Sequence, residues 1–215
     1  MAKGRIAVGN HVNRWMTKDT NFYKAMYHCG HLTARHLDAL NIKPGRCSDH
    51  IKDRLVISDV DKNTGETVYR LTKDGLAKCA ELGFNRAMAY QAQGTSQHVY
   101  HHDLKFADKY FEAREEDASH IDNWVNEAEI RNMITEAIYD YKDTDPERFQ
   151  ELIQMHNEKK FSACDGGYWK RDEETGEQKL VLVEVITPSY DSDKVCAKME
   201  TAMLLNAQYD AVFAK

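Results

Sequence analysis

The sequence lacks any apolar run long enough to cross a lipid bilayer, and its first residues lack the apolar core of a signal peptide. We therefore expect a cytoplasmic protein with no membrane partner. Cysteine is scarce. The five cysteines are scattered and odd in number, so we expect reduced, mostly buried thiols and no disulfide framework. Hydrophobic residues at 42% and charged residues at 30% are typical of a soluble globular protein with an ion-rich surface.

Local signatures of several enzyme classes are also missing. The sequence has no glycine-rich phosphate loop, no Gly-x-Ser-x-Gly elbow and no Cys-His pair with a familiar local spacing. Residues 98–104 contain three histidines and an aspartate, but they lack a partner Cys-x-x-Cys and the His-apolar-His triplet of rolling-circle nickases. We therefore predict no metal site and no cofactor, although these absences alone do not exclude an enzyme.

Charge is distributed unevenly along the chain. The net charge is -6, yet residues 1–54 hold ten basic against four acidic side chains, a net charge of +6. Residues 103–150 hold fourteen acidic against six basic side chains, a net charge of -8. A basic front end followed by an acidic body suits a protein that meets phosphate groups at one end only. Two ordinary solvated faces would give the same pattern.

Residues 21–83 have the order of parts of a winged helix-turn-helix. After an N-terminal arm at residues 1–20, apolar spacing predicts a first helix from Phe22 to Cys29 and a second helix that Thr33 caps. A turn at residues 44–45 precedes a third helix, in which Cys47, Ile51 and Leu55 recur every four residues and should face inward. Its outer face would then carry Arg46, Asp49, His50 and Asp53, with Arg46 and His50 in reach of a major groove.

A hairpin and a closing helix complete this predicted domain. Residues 55–60 and 67–71 are rich in β-branched and aliphatic residues, and the turn between them places a residue of positive φ at Gly65. Lys62 lies at the tip of this predicted wing. Thr72 then caps a helix that ends at Gly83. The predicted nucleic-acid-binding residues are Arg35, Lys43, Arg46, His50, Lys52, Arg54 and Lys62.

The run Leu32-Thr33, the hairpin and the sequence Tyr-Arg-Leu-Thr-Lys-Asp-Gly at residues 69–75 resemble the winged helices of bacterial, plasmid and phage proteins, including the replication-relaxation family of mobile elements. The match covers about a third of the chain. It marks a fold better than a function, because Tyr69, Leu71 and Thr72 all have structural roles in such a sheet.

The second half predicts a small α/β domain. A polar stretch within residues 84–100 indicates a linker, and residues 101–215 follow as the C-terminal domain. Asp145 caps a helix, residues 161–169 and 179–187 read as strands, and Asp191 or Ser192 caps a long final helix. The second strand is the most apolar of the chain and should be central. We predict an α+β fold, in which this domain resembles a degenerate restriction-endonuclease-like core.

The resemblance to such nucleases implies two acids beside a divalent ion. The counterparts here are Asp165 and Glu184, and the resemblance to the replication-relaxation family adds Glu127 in a Trp-x-x-Glu segment. The lysine expected two residues after the second acid is absent, because Ile186 occupies that position. Lys194 or Lys198 could supply an amine from the final helix. Alternatively, Asp165 is a turn residue and Glu184 pairs with an arginine such as Arg131.

We therefore expect a protein that binds double-stranded DNA and belongs to a phage, plasmid or integrated element. It would act in replication control, mobilisation or transcription regulation. One alternative is a protein-interaction module with an acidic partner-binding surface, and another is a metal-dependent nuclease. A homodimer is a further expectation, since the final helix has a methionine-rich face that fits either a second copy or its own sheet.

Overall fold

The computed structural model describes residues 11–85, 89, 97–172 and 175–214. Within them the chain forms eight α-helices and two β-sheets, which confirms the predicted α+β class. The chain divides into two compact units, Met1–Ala107 and Asp108–Lys215. No helix in the described part of the chain has the length and apolar character needed to span a membrane.

Three helices contribute buried side chains to the core of the first unit. In α1 (Thr17–Cys29), Phe22, Ala25 and Met26 are buried at helical spacing. α2 (Ala34–Ala39) follows Thr33 at its N-cap position, as predicted. α3 (Pro44–Lys52) begins with a proline, whose fixed φ suits the first turn of a helix.

An antiparallel three-stranded sheet closes this unit. It consists of β1 (Leu32–Thr33), β2 (Val56–Val60) and β3 (Thr67–Leu71) in the order β1-β3-β2. The turn between β2 and β3 passes through Gly65 at φ 73°, a left-handed conformation that favours glycine. Thr72 caps α4 (Lys73–Glu81) by accepting a hydrogen bond of 3.0 Å from the Gly75 amide. The predicted hairpin and cap are therefore confirmed.

The boundary between the units falls inside α5 (Gln97–Glu116), later than the predicted linker at residues 84–100. Tyr100 and Leu104 pack on Val68 of β3. A buried hydrogen bond of 2.6 Å also joins Asp103 to His31. These contacts hold the first half of α5 to the first unit. Of the polar stretch predicted at residues 91–97, residues 91–96 lie outside the described residues, as do residues 1–10 of the predicted arm.

The second unit alternates helices and strands. After α5 come a 3-10 helix (Ala118–Ile121), β4 (Trp124–Asn126), α6 (Glu127–Tyr139), α7 (Pro146–Asn157), β5 (Gly166–Arg171), β6 (Gln178–Ile186), α8 (Ser192–Leu204) and β7 (Gln208–Phe213). The caps of α7 and α8 are Asp145 and Asp191, as predicted. The sheet order is β4-β5-β6-β7, with β7 parallel to β6 and the other pairs antiparallel.

β6 is an inner strand and is buried from Leu180 to Ile186, which confirms the predicted central strand. Its side chains at Leu180 and Leu182 pack with Ile130, Ile134 and Ile138 of α6. Successive residues of one strand face opposite sides of a sheet, so Glu184, two residues from Leu182, lies on the same side as Leu182. This geometry places a carboxylate beneath the helices that cover the core.

The predicted starts of α1 and β5 differ from the structure. α1 begins at Thr17, not at Phe22, because the Asp19 carboxylate accepts a 2.7 Å hydrogen bond from the Met16 amide and extends the helix. β5 begins at Gly166, because the preceding Ser162 and Ala163 bond to α8: the Ser162 amide donates to Thr201 Oγ1 at 3.0 Å, and the Ala163 carbonyl accepts from Lys198. β4 and β7 were not predicted from the sequence.

Candidate functional sites

Part of the predicted outer face of α3 is buried against Asp19 of α1. Asp19 is fully buried, and Arg46 donates to both of its oxygens at 2.8 and 2.6 Å. His50 Nε2 lies 3.0 Å from the same carboxylate, and its Nδ1 lies 3.1 Å from the Tyr23 hydroxyl. Burial by itself raises the pKa of Asp19, but the bonds from Arg46 and His50 outweigh it and leave that pKa below its usual value.

The prediction that Arg46 and His50 face outward to nucleic acid is therefore wrong for His50 and weakened for Arg46. His50 is 0% exposed, and burial lowers its pKa. The Arg46 side chain is 14% exposed and neutralises Asp19. Asp53, also expected outward, is buried and accepts from the His11 and Val12 amides at 3.0 and 2.9 Å. The spacing of residues within α3 could not predict the burial of His50 or the pairing of Arg46, because their partner carboxylate, Asp19, belongs to another helix.

The other predicted basic residues are exposed. Lys43 precedes α3, and Lys52 ends it with a side chain that is 55% exposed and 3.7 Å from Asp49. Arg54 follows at φ 59°, exposed, and its carbonyl accepts from the Thr72 hydroxyl. The remaining exposed members of the predicted set are Arg35 and Lys62. We call Arg35, Lys43, Lys52, Arg54 and Lys62 the basic surface.

The turn that carries Lys62 is held by its own side chains. Asp61 accepts from the Asn63 amide and from the Thr64 hydroxyl, both at 2.9 Å. The Gly65 amide also donates to the Asp61 carbonyl at 2.7 Å. An aspartate that bonds its own following backbone fixes a turn. Lys62 is therefore presented outward by an ordered hairpin tip.

In the second unit, the structure brings Asp165 and Glu184 together. Asp165 directly precedes β5, and Gly166 pairs with Val183 next to Glu184 on β6. Two hydrogen bonds hold this arrangement: the Asp165 amide donates to Glu184 Oε2 at 3.0 Å, and the amide of Val185, the residue after Glu184, donates to Asp165 Oδ2 at 2.8 Å. Gly167 permits this approach, since a Cβ there would lie 2.5 Å from the Val181 carbonyl oxygen.

The partner of Glu184 is Lys198 of α8, not Arg131. Lys198 Nζ lies 3.0 Å from Glu184 Oε1, with side-chain exposures of 10% and 0%. The same amine donates to the Ala163 carbonyl. The Tyr190 hydroxyl also donates to Glu184 Oε1, at 2.8 Å. We call Asp165, Glu184, Lys198 and Tyr190 the carboxylate–lysine cluster.

Burial raises the pKa of Glu184, and the neighbouring charge of Asp165 raises it further, against the opposing effect of Lys198 and Tyr190. A fully buried carboxylate with a raised pKa beside a second acid and an amine is an arrangement that recurs at functional sites and also in structural ion pairs. Tyr190 in turn has its pKa raised by burial and by Glu184.

The donor set of the cluster suits a hard divalent cation. Mg²⁺ takes oxygen ligands and is commonly held by one or two carboxylates together with phosphate oxygens. Asp165 and Glu184 would supply these carboxylates, in competition with the Lys198 ammonium on Glu184 Oε1. No group of three or more His, Cys, Asp or Glu side chains within the described residues is arranged to hold a metal ion.

Glu127, the third predicted catalytic acid, has a separate partner. It begins α6, its side chain is 43% exposed, and its carboxylate pairs with Arg131 one turn along the same helix. The expected Arg131 partner of Glu184 is therefore engaged on the surface. Of the two amines proposed from the final helix, Lys194 lies 5.6 Å from the centre of the Tyr190 ring and Lys198 enters the cluster.

Two residues near the cluster were not singled out from the sequence. Tyr190 carries no motif, and Tyr209 belongs to the unpredicted strand β7. Neither tyrosine gives a functional signal in the sequence, because its role depends on which residues the fold places beside it.

No family model, no curated protein and no solved structure matches this chain.

Proposed function

We propose that this chain is a DNA-binding protein whose residues 21–83 form a winged helix-turn-helix. The observation that carries the proposal is the succession of α1, β1, α2 and α3 followed by the β2–β3 hairpin, with sheet order β1-β3-β2. A helix-turn-helix places its last helix in the major groove, and a hairpin beside it can reach the backbone. The element order supports this assignment.

The residues proposed to contact DNA are the predicted basic side chains of this unit that are exposed. Lys43 and Lys52 lie at the two ends of α3, Arg54 follows it, Lys62 lies in the hairpin turn, and Arg35 is exposed on α2. Side chains of this kind bind phosphate and position a protein on the duplex, whereas they carry little sequence information. Asp49 beside Lys52 weakens the local attraction. We therefore propose binding that depends mainly on backbone phosphates, with His50 excluded from it.

A role in replication control, mobilisation or transcription of a phage, plasmid or integrated element is proposed from the resemblance of the Leu-Thr and Tyr-Arg-Leu-Thr-Lys-Asp-Gly runs to the replication-relaxation family. This part of the proposal is independent of the contact set. Deletion of the gene from an element that carries it, with copy number, transfer frequency and transcript levels of the element measured, tests it. No change in any of the three would overturn it.

A double variant tests DNA binding itself. Lys52→Ala with Lys62→Ala removes two proposed phosphate contacts worth about 0.7 kcal/mol each, so affinity for a duplex should fall about tenfold. The matched control is Lys142→Ala with Lys179→Ala, which removes the same charge from exposed positions of the second unit. Equal affinities of the two double variants would contradict the proposal. No DNA binding, with a protein partner retained through nuclease treatment, would favour a protein-interaction module.

A second candidate function is a divalent-metal-dependent DNA phosphodiesterase. The convergence of Asp165, Glu184 and Lys198 supports it. A bound Mg²⁺ or Mn²⁺ supplies a Lewis acid that stabilises charge on phosphate oxygens. The residues proposed to hold it are Asp165 and Glu184, and Lys198 keeps a positive charge beside them.

Plasmid cleavage with Mg²⁺ or Mn²⁺ tests this second candidate. Asp165→Ala and Glu184→Ala should abolish cleavage, while Glu177→Gln, an exposed acid of the β5–β6 hairpin, should leave it unchanged. Retained cleavage in Asp165→Ala would indicate a contaminating nuclease. Absence of cleavage by the unaltered protein under both metals would remove the candidate.

A further inference from the structure

Tyr209 of β7 carries a hydroxyl that is buried and has no hydrogen-bond partner among the described residues. Its residue as a whole is only partly buried, so the hydroxyl end is the part that points inward. A buried polar group without a partner costs free energy, and such groups in proteins call for an explanation. Phenylalanine would fill the same space without that cost.

The position of Tyr209 places its ring on the side of the sheet that holds the carboxylate–lysine cluster. β7 pairs with β6 in register, with Tyr209 opposite Leu182 and Ala211 opposite Glu184. Register partners face the same side of a sheet, as do residues two apart on one strand. Tyr209 and Glu184 are therefore diagonal neighbours on one face.

Electrostatics agrees with this placement. Burial raises the pKa of Tyr209, and the negative charges of Glu184 and Asp165 raise it further. The hydroxyl therefore stays protonated and keeps a proton to donate. Glu184 Oε1 already accepts from Tyr190 and Lys198, and Oε2 accepts from the Asp165 amide. No oxygen of the cluster accepts a hydrogen bond from the Tyr209 hydroxyl in this arrangement.

We propose that the Tyr209 hydroxyl is a binding group of this site, which donates a hydrogen bond to an oxygen of a phosphate ester held beside Asp165 and Glu184. The proposal rests on the second candidate function. Phosphate oxygens accept hydrogen bonds strongly, and Lys198 provides the positive charge that a phosphate near two acids requires. For the ligand to enter, the Tyr190 hydroxyl gives up its bond to Glu184.

Two tyrosine-to-phenylalanine variants separate a binding role from a structural one. The probe is thymidine 3′,5′-bisphosphate in the presence of Mg²⁺, with affinity measured by calorimetry and stability by Tm without ligand. Tyr209→Phe should leave Tm unchanged or raised, since it removes an unsatisfied donor, and should weaken binding at least about tenfold. Tyr141→Phe is the matched control, since Tyr141 is 40% exposed elsewhere in the second unit, and it should change neither Tm nor binding.

The outcomes distinguish this inference from the function on which it rests. If the unaltered protein binds the bisphosphate, Asp165→Asn abolishes that binding and Tyr209→Phe weakens it with no loss of Tm, the inference is supported. If binding depends on Asp165 but Tyr209→Phe binds as well as the unaltered protein, only the inference is overturned, and water is the partner of the hydroxyl. If the unaltered protein shows no binding that depends on Asp165, the phosphodiesterase candidate and this inference both fall.

Discussion

Replacement of Lys198 by methionine tests the carboxylate–lysine cluster most severely. Methionine keeps the length of the side chain and removes its charge, so Glu184 would remain fully buried without its 3.0 Å partner. Breaking one side of a buried ion pair costs about 3–5 kcal/mol. We expect the free energy of unfolding at pH 8 to fall by about that amount, measured by urea unfolding.

The loss should also depend on pH in a defined direction. The pKa of Glu184 is already raised by burial, and removal of Lys198 raises it further. A carboxyl whose folded-state pKa lies above its unfolded value of about 4.5 gives its greatest stability below that value, and stability falls as pH rises through the folded pKa. The penalty of Lys198→Met should therefore be smaller at pH 5 than at pH 8.

Lys194→Met is the matched control, since Lys194 is exposed on the same helix. Its change should stay within about 0.5 kcal/mol, as for most surface substitutions. A Lys198→Met penalty under about 1 kcal/mol at pH 8, or one equal to that of the control, would refute the ion pair.

Two further predictions concern the first unit. Gly75→Ala should destabilise it by about 1–3 kcal/mol in urea unfolding, because a Cβ at Gly75 would lie 2.0 Å from the Leu55 carbonyl oxygen. Gly45→Ala is the control and should change stability little, because a Cβ there meets nothing within 4 Å. Equal effects of the two substitutions would contradict this packing. Burial lowers the pKa of His28 to about 3, so the unfolded chain takes up a proton below pH 6.5 that the folded chain does not. Stability should therefore fall by about 2 kcal/mol between pH 6.5 and pH 5, and His28→Gln should remove that part of the decline. A decline of the same size in the variant would show that another group causes it.

The sequence predicted local structure well where one segment determines it. The hairpin around Gly65 and the caps at Thr72, Asp145 and Asp191 depend on residues close in the chain, and all are present. The inner position of β6 followed from its apolar run, since a strand buried on both faces has no polar alternation.

The sequence failed where partners come from distant segments. Spacing placed His50 outside α3, but Asp19, thirty-one residues away, holds it in the core. For the same reason the sequence left both an arginine and a lysine of the final helix open beside Glu184, and only the fold selects Lys198. β7 escaped prediction because its polar and aromatic residues show no strand pattern until β6 pairs with it. Hydrophobic periodicity describes a single helix or strand, whereas these ion pairs join side chains from two different elements.

The dependence of duplex binding on salt tests the central proposal most directly. If the five residues of the basic surface each neutralise one phosphate, the slope of log affinity against log salt concentration should approach about -4.5. Lys52→Ala with Lys62→Ala should reduce its magnitude by about 2. A slope near zero, or the same slope in the variant and the unaltered protein, would contradict the assignment of this surface to DNA.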